Sequence, residues 1–435
     1  MISLYQRDFD FVTQTIEEGY IFLKTKEEEW GFKFEEVKQR CAGRLSIIAS
    51  DFEFWLLLKE VVAPLHDSHT WIGFDAPWVT SNRWGLPFEI TYIEGTYYVT
   101  GWREGMSPIE EIDIGDRVVS IGGFSIYDVQ TIYERYEGLS TRVAQEKMCL
   151  KQLFSYYLPD TEPDHPVKVG LISGDGRKKA KQVSWVRFPE FSMSGPQSVF
   201  SHRWLRTHPR LAYLRIQNFF LPQFEHETLA VEKLNTIFEE IQLAEGLIID
   251  VRHNGGGSFT PMKEVIARLI QEPIPNFRRR WLVSDHFVKY HELGSRYEER
   301  KGLTEWVFDG GGNLPVIEPA SECRLLRSIP IYILTDFQTL SRTEELVVLL
   351  KEAGVARTVG ETTGGGYATP MSISLPETGW EFKYSVCEGR SPKGFNIEGK
   401  GVKPDFPVAL SPDDIGRKQD RYLKEAEHLF MELNK

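Results

Sequence analysis

In Leu247-Ile248-Ile249-Asp250-Val251-Arg252-His253-Asn254-Gly255-Gly256-Gly257-Ser258 an apolar run passes directly into a polar turn and three consecutive glycines. A short unbroken apolar run bounded by turn residues reads as a buried strand. Three glycines let the backbone that follows approach a ligand closely and turn its amides inward. The segment contains neither GxxxxGKS/T nor GxGxxG, so nucleotide-loop readings are poor. Two readings stay open: an anion hole built from backbone N–H groups, or a plain strand-to-helix connection.

Around this segment, strand candidates alternate with helices. Leu211 to Ile216, Gly246 to Val251, Ile329 to Thr335 and Ala356 to Val359 read as strands, and Leu229 to Leu243, Pro261 to Gln271 and Ser341 to Glu352 as helices. Such alternation predicts an α/β core. Upstream, between Trp84 and about Val186, the pattern shifts to short strands at Phe88 to Tyr92, Tyr97 to Gly101, Arg117 to Ile121 and Val167 to Ile172, separated by Gly-containing turns. That pattern predicts a small β-rich module. Still earlier, apolar residues recur at helical spacing from Phe9 to about Leu23 and from Phe32 to Ile48. Ser50 with Glu53 makes a capping box ahead of Phe54 to Leu58, in a helix predicted to run to about Leu65. Three parts follow: residues 1–80 as an N-terminal helical region, 84–186 as the β-rich module and 187–435 as the α/β core. Tyr297 to Glu305 reads as an exposed loop, and no solenoid repeat is present.

Composition narrows the function classes. The chain has 435 residues, 41% hydrophobic and 26% charged, and its 51 Lys plus Arg against 63 Asp plus Glu leave a formal charge of −12. With no basic cluster, nucleic acid is an unsuitable partner, because that affinity rests on cations neutralising phosphates. The opening MISLYQRDFDFVTQTIEEGYIFL carries acids among its apolar residues and reads as neither signal peptide nor anchor. No apolar run reaches the roughly 18 residues of a membrane helix. Cys41, Cys149, Cys323 and Cys387 lie far apart, without CxxC or metal spacing. They read as free thiols in a reducing cytoplasm.

Further segments carry candidate chemistry. Ser341 opens a helix after Thr335-Asp336-Phe337-Gln338-Thr339-Leu340, at the positive end of the helix dipole, where negative charge on a bound oxygen is stabilised. Ser341 with Glu344 is equally an ordinary capping box. His66-Asp67-Ser68-His69-Thr70 offers proton-transfer groups ahead of a strand from Trp71 to Phe74, or merely solvated histidines. His66 and His69 lack an HExxH companion or a third ligand, so no metal is expected. Glu398, among the turn residues Asn396 to Asp405, reads alone as an exposed loop acid.

Taken in order, these segments resemble the S41 serine peptidases, which include the C-terminal processing peptidases, tricorn protease and the interphotoreceptor retinoid-binding protein modules. The resemblance rests on Asp250-Val251-Arg252-His253-Asn254-Gly255-Gly256-Gly257, Thr339-Leu340-Ser341-Arg342-Thr343-Glu344-Glu345, Val359-Gly360-Glu361-Thr362-Thr363-Gly364-Gly365-Gly366, and Glu398 through Asp405. It implies a crotonase/ClpP-like α/β core. Within the β-rich module, Gly115-Asp116-Arg117-Val118-Val119-Ser120-Ile121-Gly122-Gly123-Phe124 resembles PDZ domains. Gly85, Leu86, Pro87 and Phe88 stand where such domains hold a peptide carboxylate on backbone amides while the peptide adds a strand to the sheet edge. A hairpin without a ligand is the plainer alternative.

The family has two catalytic solutions. One places a lysine 25 residues after the serine; here that position is Gly366. The other, tricorn-like, uses an upstream histidine preceded by a serine together with a downstream glutamate, and Ser68, His69 and Glu398 occupy those places. The resemblance thus implies a tetrad of Ser341 as nucleophile, His69 as base, and Ser68 linked to Glu398 as orienting groups. It implies an oxyanion hole from the backbone N–H groups of Gly256 and Arg342. The long cation of Arg342 is placed to meet an acidic substrate group. The expected activity is cleavage of peptides or of unfolded, C-terminally recognised proteins by a cytoplasmic serine endopeptidase without cofactor. The alternative is a catalytically silent peptide- or lipid-binding protein of the same fold.

Overall fold

The computed structural model describes residues 4–73, 75–76, 84–103, 105–153, 165–187, 199–220, 227–290, 302–308, 315–320, 328–412, 414 and 419–433. Its central sheet runs in the order Phe200–Trp204, Leu211–Ile216, Gly246–Asp250, Ile331–Thr335, Arg357–Gly360, Phe406–Pro407. The first strand pairs antiparallel and the other neighbours pair parallel. Every residue of Gly246–Asp250 and of Ile331–Thr335 is buried, which is why both segments are unbroken apolar runs. Leu247, Ile249, Ile331 and Ile333 face the helices Glu227–Glu240, Phe259–Leu269 and Arg342–Glu352 through a common core. Ile248, Tyr332 and Leu334 face the other way, onto Tyr422, Ala426 and Phe430 of the C-terminal helix Arg421–Leu433. The predicted alternation is therefore a helix-covered parallel sheet of the α/β class.

The N-terminal segment is helical, with helices Leu4–Gly19, Leu23–Trp30, Phe34–Ala42 and Asp51–Val62. Ser50 caps the last of these by accepting the Glu53 N–H at 3.2 Å, and Glu53 accepts the Ala49 N–H at 2.7 Å. The single helix predicted from Phe9 to Leu23 is broken after Gly19, and a second one begins at Leu23. These helices share one apolar core with a second sheet, in which Glu381–Arg390 pairs with Trp71–Ile72, Arg278–Val283 and Thr369–Ser374. Phe9, Phe54, Trp55 and Leu58 pack with Phe382, Tyr384 and Val386. The start of the chain is thereby fastened onto segments some 300 positions later.

A third sheet, Phe88–Ile93, Thr96–Trp102, Arg117–Ile121, Val167–Ile172 and Lys178–Val183, is antiparallel throughout. It encloses its own core of Leu86, Phe88, Tyr97, Val118, Ile121 and Val169. Phe88–Ile93 is its edge strand, and the helix Arg142–Leu153 packs beside it. The helices Ile126–Glu134 and Arg142–Leu153 and the strand Lys178–Val183 were not anticipated. Of the predicted loop at Tyr297 to Glu305, Gly302–Leu303 is a short strand on Arg278–Val283, and residues 297–301 lie outside the described residues. The predicted strand from Trp71 ends at Ile72, and Phe74 also lies outside them.

Candidate active site

Ser341 sits where Ile331–Thr335 gives way to the helix Arg342–Glu352, at the carboxyl end of the parallel strands. Its backbone has φ +57° and ψ −124°, a region that non-glycine residues occupy only under constraint. The constraint comes from three sides. The Ser341 N–H donates to the Gly366 carbonyl at 2.9 Å and to Glu344 Oε2 at 3.0 Å, and the Leu340 N–H donates to the Asn254 carbonyl at 2.9 Å. Asp336 ties down the preceding turn, accepting from the N–H groups of His253 and Gln338 and from Thr339 Oγ1. Both segments singled out in the sequence are thus locked to each other.

The hydroxyl meets His69: Oγ lies 3.1 Å from Nε2 across 272 positions of sequence. His69 follows the helical turn Ala63–Leu65 in a loop that Asp67 organises from within. Asp67 is 2% exposed; Oδ1 accepts the His69 N–H at 2.8 Å, and Oδ2 accepts the hydroxyls of Thr70 and Ser385 at 2.7 and 2.6 Å. Burial, helped by the cations of Arg279 and Lys383, lowers the His69 pKa from its usual 6.5, while Asp67 pulls upward. The imidazole is accordingly neutral at neutral pH and can accept a proton. His66 is set apart, stacked on Trp30 at 3.4 Å, with burial pushing its pKa down to about 4.

Glu398 is 3% exposed, not a surface loop acid. Its Oε1 accepts from Lys26 Nζ at 2.6 Å and its Oε2 from the Tyr367 N–H at 2.8 Å. Burial, with Asp67 nearby, pushes its pKa up to about 7, against the pull of Lys26. Asp67, His69 and Glu398 bring their ligand-type atoms within 4.8 Å of one another, a spacing that can hold a cation. The cation seated on Glu398 is the Lys26 ammonium. Ser68 does not meet Glu398: its Oγ accepts from Ser140 Oγ at 3.1 Å and from the Ser140 N–H at 3.3 Å, and its own N–H donates to Ser140 Oγ. In place of the serine–glutamate link that the resemblance implied, Ser68 bonds Ser140 of the β-rich module and Glu398 pairs with Lys26.

Gly256 has φ +100°, and a Cβ there would fall 2.8 Å from Ser341 Cβ and 2.9 Å from the Arg342 nitrogen, so only glycine fits. Its N–H is engaged by Asn254 Oδ1 at 2.9 Å. Arg342 opens the helix, where the N–H groups of Thr343, Glu344 and Glu345 donate to the carbonyls of Leu340 and Ser341 at 3.1, 2.9 and 3.2 Å. Its side chain does not reach toward a substrate anion: Nη1 pairs with Glu345 Oε2 at 2.6 Å, and the guanidinium lies over Phe259. Gly366 admits no lysine, since even a Cβ would stand 2.9 Å from Ser68 Cβ.

In the β-rich module, Leu86 and Phe88 are buried, and Arg103 donates to the carbonyls of Leu86 and Pro87 at 2.9 and 3.0 Å. Gly85 lies in the short pairing of Trp84–Gly85 with Val186–Arg187. The loop leads into the edge strand, which borders a cleft of about 470 Å³ shared with Lys147, His253, Phe337 and Tyr422. Lys147 pairs with Glu361 of the core at 2.7 Å.

Sequence reasoning missed Lys26, Ser140 and the organising role of Asp67. It also missed Glu344 as a fully buried acid, pushed up to about 8 by burial, whose Oε1 accepts from Thr363 Oγ1 and the Gly365 N–H. The available signal for Glu344 was its position three residues after Ser341; Lys26, in Leu23-Lys24-Thr25-Lys26-Glu27-Glu28-Glu29-Trp30, carried none.

A part-buried serine–histidine pair at the carboxyl ends of parallel strands, with a helix N-terminus beside the serine, is an arrangement suited to hydrolysis on an α/β core. Residues 210–408 match peptidase family S41. Over 198 residues the chain is 25% identical to the carboxy-terminal processing protease CtpB of Bacillus subtilis (strain 168), covering 46% of this chain and 34% of that one. The match thus spans about a third of the length of that curated relative. The fold is similar to that of mature CPAF complexed with lactacystin, with a TM-score of 0.78 and 18% identity over 99% of each chain. Mature CPAF alone gives a TM-score of 0.77 at 18% identity, over 98% of this chain and 97% of that one. Residues 210–408 are thus similar to peptidase family S41, and the fold is one that its members share.

Proposed function

We propose that this chain is a serine endopeptidase acting on peptides or on unfolded proteins recognised at their C-termini. The observation that carries this reading is the 3.1 Å contact between Ser341 Oγ and the part-buried His69 Nε2, with Ser341 in a strained backbone conformation. A serine hydroxyl becomes a competent nucleophile when an adjacent base takes its proton. In the proposed mechanism Ser341 Oγ attacks the scissile carbonyl carbon while its proton passes to His69 Nε2. The carbonyl oxygen becomes an oxyanion beside the N-terminus of Arg342–Glu352, where the Arg342 N–H serves as a donor and the Gly256 N–H joins on exchanging Asn254 for the oxyanion. One such donor is typically worth about 3 kcal/mol in the transition state. His69 then returns the proton to the leaving amine as the tetrahedral intermediate collapses to an acyl-enzyme. Water, deprotonated by His69, releases the new carboxyl end and restores Ser341.

Asp67 and Glu398 stabilise the imidazolium through their charge, while Ser68 steadies the loop through Ser140. In the same proposal residues 1–80, 84–186 and 187–435 act as helical, PDZ-like and crotonase-like parts, and Gly85 to Phe88 with the adjacent edge strand hold the substrate tail. The buried thiols of Cys41 and Cys387 support a reducing, cytoplasmic setting. Among the described residues no helix is long and apolar enough to cross a membrane.

The test is mass spectrometry of a mixed peptide and unfolded-protein library incubated with the wild type and with Ser341→Ala. Fragments made only by the wild type support the reading and reveal its specificity. Their absence favours a binding protein of the same fold.

A further inference from the structure

Lys26 is 0% exposed, on the helix Leu23–Trp30, and its ammonium donates to Glu398 Oε1 at 2.6 Å and to the His66 carbonyl at 2.7 Å. Its partner Glu398 is 372 positions away, and His66 begins the loop that carries His69. Burying an ammonium is costly, and a buried ion pair commonly stabilises a fold no better than apolar residues of the same volume. Such a pair beside a reacting histidine therefore calls for a role other than stability.

Resting on the peptidase reading above, we propose that Lys26 is a positioning residue of the active site: it holds Glu398 as a carboxylate, oriented toward His69. The charge balance explains why a cation is needed. Glu398 is faced by Asp67 from the His69 loop, by His69 itself, by Glu344 from the helix Arg342–Glu352, by Tyr20, and by Lys26. Beside the Asp67 carboxylate in so small a buried space, Glu398 would take up a proton unassisted. With Lys26 present the three groups sum to one negative charge. Transfer of the Ser341 proton to His69 makes the set neutral, so the imidazolium forms at the point where its counter-charge already stands. Lys26 on Oε1 and the Tyr367 N–H on Oε2 also fix both oxygens of Glu398. A protonated Glu398 supplies no such charge, so activity without Lys26 requires a higher pH.

The test uses the purified full chain and the rate at which a fluorophosphonate probe labels Ser341, followed against pH. Lys26→Met is expected to move the acid limb of the labelling profile up by one pH unit or more. In a Glu398→Gln background it is expected to change the rate less than twofold. An unmoved limb, or an equal loss in both backgrounds, overturns the proposal. A second measurement needs no activity and no Lys26 variant: the infrared carboxyl bands of Glu398, obtained as the wild type minus Glu398→Gln difference. The carboxylate band is expected at pH 8; a protonated carboxyl band at that pH overturns the proposal even if Lys26→Met fails to fold. Ionised Glu398 in a wild type that labels at no pH would instead overturn the peptidase reading.

Discussion

Ser140, in the turn between the two helices of the β-rich module, donates its hydroxyl to Ser68 Oγ at 3.1 Å and accepts the Ser68 N–H at 3.0 Å. The residue next to the proposed base is therefore held by the module. Ser140 is fully buried, so these bonds form out of water. Ser140→Ala should cost about 1 to 3 kcal/mol of stability, because Ser68 groups are left without partners. It should also slow Ser341 labelling severalfold. Thermal melts and labelling rates check both, and a normal labelling rate in a destabilised variant would show that Ser140 serves the fold alone.

Ser341→Ala and His69→Ala should each lower cleavage by a factor on the order of 10⁴ or more, because nucleophile and base act as a unit. Circular dichroism should be unchanged. Wild-type turnover in either variant would remove that residue from the mechanism.

The strained backbone of Ser341 makes a separate claim. Glycine occupies φ +57° without steric penalty, so Ser341→Gly should be inactive yet at least as stable as the wild type, with relief of about 1 kcal/mol. A clearly lower melting temperature would show that the hydrogen bond to His69 outweighs the strain.

The two raised carboxyl groups give the pH dependence its sign. Burial raises Glu344 to about 8 and, against the pull of Lys26, Glu398 to about 7, whereas in the unfolded chain they ionise near 4.5. Between those limits the folded state binds more protons than the unfolded one, so their contribution to stability falls as pH rises. Glu344→Gln should flatten the decline of melting temperature between pH 5 and 8. Activity runs the other way, since it requires ionised Glu398: it should rise with pH through about 7, and Glu398→Gln should leave a slower enzyme without that limb. A limb unchanged by Glu398→Gln would assign it to another group.

Gly366 shows why the lysine solution is closed to this chain. A Cβ would lie 2.9 Å from Ser68 Cβ and 3.1 Å from Leu340 Cδ2. Gly366→Ala should cost about 1 to 3 kcal/mol by overpacking and disturb the His69 loop, seen as a joint loss of melting temperature and labelling. Full activity would mean that the loop yields.

What could be read in the sequence was local. The strands Gly246–Asp250 and Ile331–Thr335 showed themselves because a strand covered on both faces must be apolar at every position. Ser341, His69 and Glu398 were found by order and resemblance, and Ser341 and His69 do converge. Arg278–Val283 and Glu381–Arg390 escaped notice because charged residues interrupt their apolar alternation, and only pairing with each other and with the N-terminal helices gives them a buried face. The partners of the site residues were equally invisible. Ser68 went to Ser140 and Glu398 to Lys26, contacts 72 and 372 positions apart that no periodicity encodes. Lys26 stands among the charges of Lys24 to Glu29, where a solvated face is the natural reading. Residue types and strand patterns follow from the chain itself, since they answer to nearest-neighbour sterics and to one buried or exposed face. Which charge stands beside which depended on the closure of the sheets around the site, because burial converts an ordinary lysine and glutamate into a pair that must find each other.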